Sequence, residues 1–144
     1  MTACVCDYDS MATVYRKSEH TARKQHKCHE CGSAILPGQR YEYVFAIWDG
    51  DPTHVRTCCR CTALRDFVVA HIPCSCWAHG NLLEDMQEEV AHYWTEAPGL
   101  LMGYLRRYKA VRAAQGWTHY RAGGWHKTPN AKLPGPAPAP QEQR

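Results

Sequence analysis

The chain is 144 residues long, with nine cysteines, nine histidines and a formal net charge of +3. That length allows one domain, or one small domain with appendages. The opening, MTACVCDYDS, has no apolar run of signal-peptide type, and no segment approaches the length of a membrane span. The expected setting is therefore the cytoplasm, a reducing compartment where cysteine-rich patterns more often bind metal than form disulfides. An odd number of cysteines points the same way, because nine cannot pair completely.

Charge is spread unevenly. Lys and Arg are missing from Asp66 to Leu105, a stretch of net charge −6, whereas residues 106–144 carry +7. A basic surface for an acidic partner beside an acidic helix would give this asymmetry, and so would solvated faces of opposite sign.

Residues 1–25 read as an N-terminal segment holding Cys4, Cys6 and most of a basic run, YRKSEHTARKQHK at 15–27. Residues 26–72 open on CHECG (28–32), whose two cysteines suit a redox pair, half of a disulfide framework or half of a metal site. RYEYVFAIW (40–48) alternates, with Tyr41, Tyr43, Phe45 and Ile47 on one face, and predicts a strand. DGDP (49–52) signals a turn and THVRT (53–57) a return strand. A helix follows from Cys58 to about Ala70, burying Leu64, Phe67 and Val68.

The second pair, Cys58 and Cys61, decides among the readings of the first. Zinc takes four tetrahedral ligands and favours thiolate, and a structural site usually assembles from two pairs. Two intervening residues let one tight turn aim both sulfurs at an ion, and Gly32 permits the left-handed residue such a turn needs. Cys58 and Cys61 would lie in a helix's first turn, where the dipole favours thiolate. Cys28, Cys31, Cys58 and Cys61 therefore predict a zinc site. A dithiol redox centre would need a βαβ setting, and no parallel α/β pattern surrounds either pair.

Residues 73–115 comprise a linker with CSCWAH (74–79) and two helices. NLLEDMQEEVAHYW (81–94) places Leu82, Leu83, Met86, Val90, Tyr93 and Trp94 on one face, with Asn81 as N-cap. The next helix, Leu100 to Ala114, sets Leu101, Tyr104, Leu105, Tyr108 and Val111 against Arg106, Arg107, Lys109 and Arg112. Together they read as an antiparallel helical hairpin. Cys74 and Cys76, with Cys4 and Cys6, are candidate ligands of a second zinc, His79 being an alternate ligand; the competing reading makes them small buried hydrophobes and frayed terminal residues. Residues 116–144 read as a flexible Gly/Pro-rich tail, five of the nine prolines falling in 129–144.

The run C-x-x-C-G-x-x-I-x-P-G-x-x-Y, a hairpin, and a helix opened by C-x-x-C resemble a treble-clef zinc finger, the group that includes LIM-type and PARP-type fingers. CVCDYD, HKCHECG, PGQRYEYV, TCCRC and CWAHGNLLED further resemble small zinc-binding proteins encoded by bacteriophages and prophages, a group whose likeness implies a bacterial host cell and a metal but no reaction. It also implies two alternatives at the metal: His54, where some treble-clef fingers place a histidine, and Cys59 in place of Cys58. The expected fold is a small α+β one: a treble-clef finger (β-hairpin plus helix), an antiparallel helical hairpin and a disordered Pro-rich tail.

Catalytic signatures are missing. The zinc deaminase pattern fails at Pro73-Cys74-Ser75-Cys76, one residue short, and the chain has no His-x-Glu. No phosphate loop, nucleophile elbow or metalloprotease helix occurs. The leading expectation is a non-enzymatic, zinc-stabilised, phage-encoded module engaging a host or phage protein, with no small-molecule substrate evident. A second is nucleic-acid binding through Arg16, Lys17, Arg23, Lys24, Lys27, Arg106, Arg107, Lys109 and Arg112, with Tyr15, Tyr104 or Tyr108 stacking. A third is a small treble-clef nuclease using Asp49, Asp51 and His54.

Overall fold

The computed structural model describes residues 12–120 and 124–127. Strand β1 (Val14–Thr21) pairs antiparallel with β4 (Arg40–Trp48), and β4 with β5 (Asp51–Cys58), giving a sheet in the order β1-β4-β5. Two short strands, β2 (His26–Lys27) and β3 (Ala34–Ile35), pair with each other. Helices α1 (Cys59–His71), α2 (Leu82–Tyr93) and α3 (Leu100–Ala114) follow, and strands β6 (Trp117–Tyr120) and β7 (Gly124–Lys127) form a separate antiparallel pair. A small α+β chain is thus the class the sequence predicts.

The hairpin between β4 and β5 turns on two residues, Asp49 and Gly50, with φ of 50° and 87°. Successive positive φ angles match the right-handed twist of the flanking strands, which is why Asp-Gly serves here. The turn is shorter than the DGDP signal implies: Asp51 and Pro52 already lie in β5, opposite Trp48 and Ile47. Proline is tolerated there because β5 is an edge strand.

Pleating separates two faces of the sheet. Tyr41, Tyr43, Phe45 and Ile47 share a face as expected, but that face is only half-buried; Glu42, Val44 and Ala46 point inward. Val44, Ala46 and Val55 make a small apolar cluster with Ala12 and Trp48. The larger core groups the buried cysteines with Ile35, Leu64, Val68, Leu82, Met86, Val90, Leu100, Tyr104 and Val111. Glu42 joins sheet to helix by a two-pronged ion pair, accepting from both terminal nitrogens of Arg65 at 2.6 and 2.8 Å. Arg65 in turn lies over the Trp77 ring at 5.2 Å, holding the segment before α2.

The helices depart from a simple two-helix hairpin. α2 buries Leu82, Met86 and Val90 at four-residue spacing, while Trp94, expected on that face, is exposed. α3 buries Leu100, Tyr104 and Val111 and leaves Leu105 exposed, and its principal neighbour is α1 rather than α2. Gly103 is the reason the two helices approach so closely: a Cβ there would stand 1.9 Å from Cζ of Phe67. Phe67 has little room to retreat, since His71 packs at 4.2 Å and the Arg107 guanidinium at 3.9 Å from its ring. Part of the stretch read as tail is also ordered, as β6 and β7; residues 128–144 lie outside the described ones.

Two outcomes follow for stability. Gly103→Ala should cost about 1–3 kcal/mol in urea unfolding, with Phe67→Leu recovering part of the loss by making room. Burial pushes the Glu42 carboxyl up, but the Arg65 hydrogen bonds and charge, with Lys17, outweigh it and hold it below the usual carboxylate range. A carboxylate depressed in the folded state stabilises above its unfolded pKa and loses that stabilisation as pH falls through the folded value. Glu42→Ala should therefore cost about 1–3 kcal/mol at pH 7, since Arg65 loses two hydrogen bonds but keeps the Asp66 carboxylate at 2.9 Å. The gap between variant and parent should narrow below about pH 4.

Candidate metal centre

Between β2 and β3 the chain folds back on itself in a tight knuckle. The Cys28 carbonyl accepts from Gly32 N–H at 3.0 Å, and Cys28 N–H donates to the Ser33 carbonyl at 2.9 Å. Gly32 closes the turn at φ 71°, a left-handed value that explains a glycine directly after the second cysteine. Cys58 ends β5 and stands at the N-cap of α1, and Cys61 sits in the helix's first turn. The four sulfurs of Cys28, Cys31, Cys58 and Cys61 all lie within 4.8 Å of one another. Cys28 and Cys61 are 4.0 Å apart, Cys31 and Cys58 3.7 Å. Sulfurs about 2.3 Å from a tetrahedral ion would sit about 3.8 Å apart, so the cluster has the right size to hold one.

Burial and charge agree with the geometry. Relative exposure is 1% for Cys28, 8% for Cys31, 3% for Cys58 and 0% for Cys61. Four thiolates in this space repel, and the thiols divide: hydrogen bonds from Cys28, then Cys58 and Cys61, pull Cys31 far down, whereas bonding with Cys28 first pushes Cys58 and Cys61 far up. A cation is what lets all four ionise together. Cys58 N–H donates to the Cys28 sulfur at 3.3 Å, and the positive end of the α1 dipole faces the same cluster.

The knuckle also ties the molecule together. His29 N–H donates to the Arg56 carbonyl of β5 at 2.8 Å. The side-chain amide of Gln115, just past α3, donates to the Cys31 carbonyl at 2.9 Å. Glu30, between the first two cysteines, accepts from Gly80 N–H at 3.0 and 3.1 Å and from Leu82 N–H at 3.2 Å. Asn81 occupies the N-cap of α2 as expected but makes no capping bond; Glu30, fifty residues earlier, does that work. No local pattern announces a cap supplied from so far away.

Other expected site residues are placed as follows. Cys59 is exposed, and His54 lies on the outer sheet face with Nδ1 2.5 Å from the Tyr43 hydroxyl, so neither belongs to the tetrad. Strand alternation puts Asp51 and His54 on opposite faces of β5, which separates the acid and base of the nuclease reading. The sulfurs of Cys74 and Cys76 lie 3.8 Å apart and Cys76 is disulfide-bonded; Cys4 and Cys6, named with them, lie outside the described residues. His79 faces other partners, with Nε2 3.2 Å from the Tyr15 hydroxyl and Nδ1 3.7 Å from Glu30. It stands among Tyr15, Trp48 and Trp77 on the wall of a cavity of about 520 Å³, a feature the sequence reading did not contain. Among the described residues, no second group of three or more metal-ligating side chains comes together.

The basic candidates divide too. Arg16 and Lys17 fall on opposite faces of β1, and Lys17 reaches Glu42 at 3.7 Å. Arg23, Lys24 and Lys27 are exposed, as are Arg106 and Lys109. Arg107 donates to the Gly103 carbonyl and covers Phe67, while Arg112 donates to the Gln115 side chain and lies 4.5 Å from the Trp117 ring. Among the described residues, no helix is long and apolar enough to cross a membrane.

Fold and site define the class: a small α+β protein organised around a buried cysteine tetrad that could hold a metal ion. Comparison with known proteins finds no matching family model, no matching curated protein and no matching solved structure.

Glu30→Ala should cost about 1–2 kcal/mol through loss of a charged cap. Hydrogen exchange should quicken in the first turn of α2, while the metal content of the protein stays at its parental value.

Proposed function

We propose that the chain is a non-catalytic binding module stabilised by one zinc ion in a treble-clef grip, phage- or prophage-encoded and acting in a bacterial cytoplasm. The observation that carries this reading is the closed tetrad: four buried cysteines supply every position of a tetrahedral ion and leave none for water or substrate. Thiolate softness favours zinc over the harder divalent ions. The treble-clef comparison rests on the order of parts, a cysteine knuckle, a β-hairpin and a helix whose first turn brings the second pair. Zinc bound by such a site contributes on the order of 10 kcal/mol to folding, comparable to the whole stability of a domain this size.

Two classes of partner suit a module of this kind. A protein partner has the exposed Trp94, Met102 and Leu105 to engage. A nucleic acid has exposed cations of the strand region, and one observation favours it: Arg16 stands opposite Phe45, and Arg23 and Lys24 border a hollow shared with Tyr41, whereas on the helix Arg106 and Lys109 are exposed but Arg107 and Arg112 are engaged within the chain.

Zinc removal tests the module. A strong chelator should abolish the cooperative melting transition, and re-addition of one equivalent of zinc should restore it. Cys61→Ser should purify with less than one equivalent of zinc and without a native near-ultraviolet spectrum. A chelated protein that melts like the parent would overturn the reading.

A further inference from the structure

On the outer face of the β1-β4-β5 sheet, six rings run in unbroken succession. His26 meets Tyr41 at 5.4 Å between centroids, Tyr41 meets His20 at 5.9 Å and His20 meets Tyr43 at 5.4 Å. Tyr43 then meets His54 at 5.9 Å, and His54 meets Phe45 at 5.2 Å. An aromatic strand face ordinarily lies beneath a second layer of structure. Here His20 and His54 are exposed and Tyr43 and Phe45 are half-buried, with the Val44, Ala46 and Val55 cluster on the other face; Tyr41, opposite Cys58, packs against the larger core. The rings are also held in place, Tyr43 by His54 at its hydroxyl and by the Arg56 guanidinium 5.7 Å from its centroid.

Charge on this face has one sign. Register sets Arg16 opposite Phe45 on one side, and Arg56 opposite Tyr43 on the other. The positions that share the face, 14, 16, 18 and 20 of β1, 41 to 47 by twos of β4, and 52, 54 and 56 of β5, include no Asp or Glu. Glu19 stands on the opposite pleat and is paired with Arg40. Arg23 and Lys24 extend the basic character beyond His20 and Tyr41, around a hollow that Glu19 also borders.

The geometry points to this face as a stacking platform for single-stranded nucleic acid, with bases lying on Tyr43 and Phe45 and phosphates met by Arg16, Arg56, Arg23 and Lys24. Only unpaired bases offer their faces to side-chain rings; a duplex offers a sheet its phosphates and groove edges. Preorganised rings on a strand accept bases at little ordering cost, and cations at the margins fix the backbone without reading sequence. This deepens the binding-module reading and depends on it for a folded sheet.

Fluorescence anisotropy on the zinc-loaded full chain tests the inference, using labelled oligo(dT) and oligo(rU) of about 20 nucleotides and a duplex of the same length, across salt. Single strands should bind more tightly than the duplex, and tighter binding of either the DNA or the RNA strand names the source of the ligand. Tyr43→Ala and Phe45→Ala should each weaken binding by about 5- to 100-fold, while Tyr43→Phe retains it. Arg56→Ala should reduce the salt slope by about 0.7, and Lys109→Ala on α3 should leave affinity unchanged. Circular dichroism and zinc content certify each variant as folded. Folded, zinc-loaded parent protein that ignores single strands, or binds duplex equally, overturns the platform while leaving the module standing. So do folded Tyr43→Ala and Phe45→Ala variants that bind undiminished.

Discussion

Four sulfur atoms from two chain segments thirty residues apart must occupy one small volume, and most of the fold can be understood as what that requirement imposes. The knuckle presents two of them, the end of β5 and the first turn of α1 the other two. Because the hairpin lies between the pairs, its length and register are bound to the cluster. Because the knuckle's backbone and Glu30 reach β5, α2 and the end of α3, the helices are located by the same few residues. Without a cation such a cluster is a group of crowded thiols sharing protons unequally; with one it becomes the strongest single tie in a molecule that divides its apolar residues between two clusters.

The second organising feature is polar. Glu42 and Arg65 are both nearly buried and joined by two hydrogen bonds, and they connect the small sheet cluster to the larger helical core. A buried pair of this type adds little net stability over apolar packing, but breaking it is costly, so it fixes how sheet and helix meet. With that inner face occupied, Tyr43 and Phe45 of β4 face outward, and the face so presented carries rings and cations without carboxylates. The cysteine tetrad anchors the end of β5, and the sheet presents the rings.

Much of this was legible in the sequence. The two Cys-x-x-Cys pairs, the alternating run at 40–48, the Asp-Gly turn and the three helices each carry a local signal with a physical cause, and the structure contains all of them. Less legible were features set by distant partners. β1 has no apolar alternation, since seven of its eight residues are exposed and backbone pairing to β4 alone makes it a strand. The burial of Glu42 in place of Tyr41, Tyr43 and Phe45 reverses the hydrophobic pattern, and only the position of Arg65, 23 residues on, accounts for it. Gly103 inside an otherwise regular helix, and Glu30 as the cap of α2, likewise make sense only once α1 and the knuckle are in place. His79 belongs to the same category, its surroundings assembled from β1, β4 and the linker.

The central claim, that a single ion held wholly by sulfur organises the chain, is most directly tested by X-ray absorption at the zinc edge on the purified protein. The account predicts a first shell of four sulfur scatterers at about 2.3 Å and no nitrogen or oxygen neighbour. A shell containing imidazole or water, or a folded protein with no metal edge at all, would contradict it.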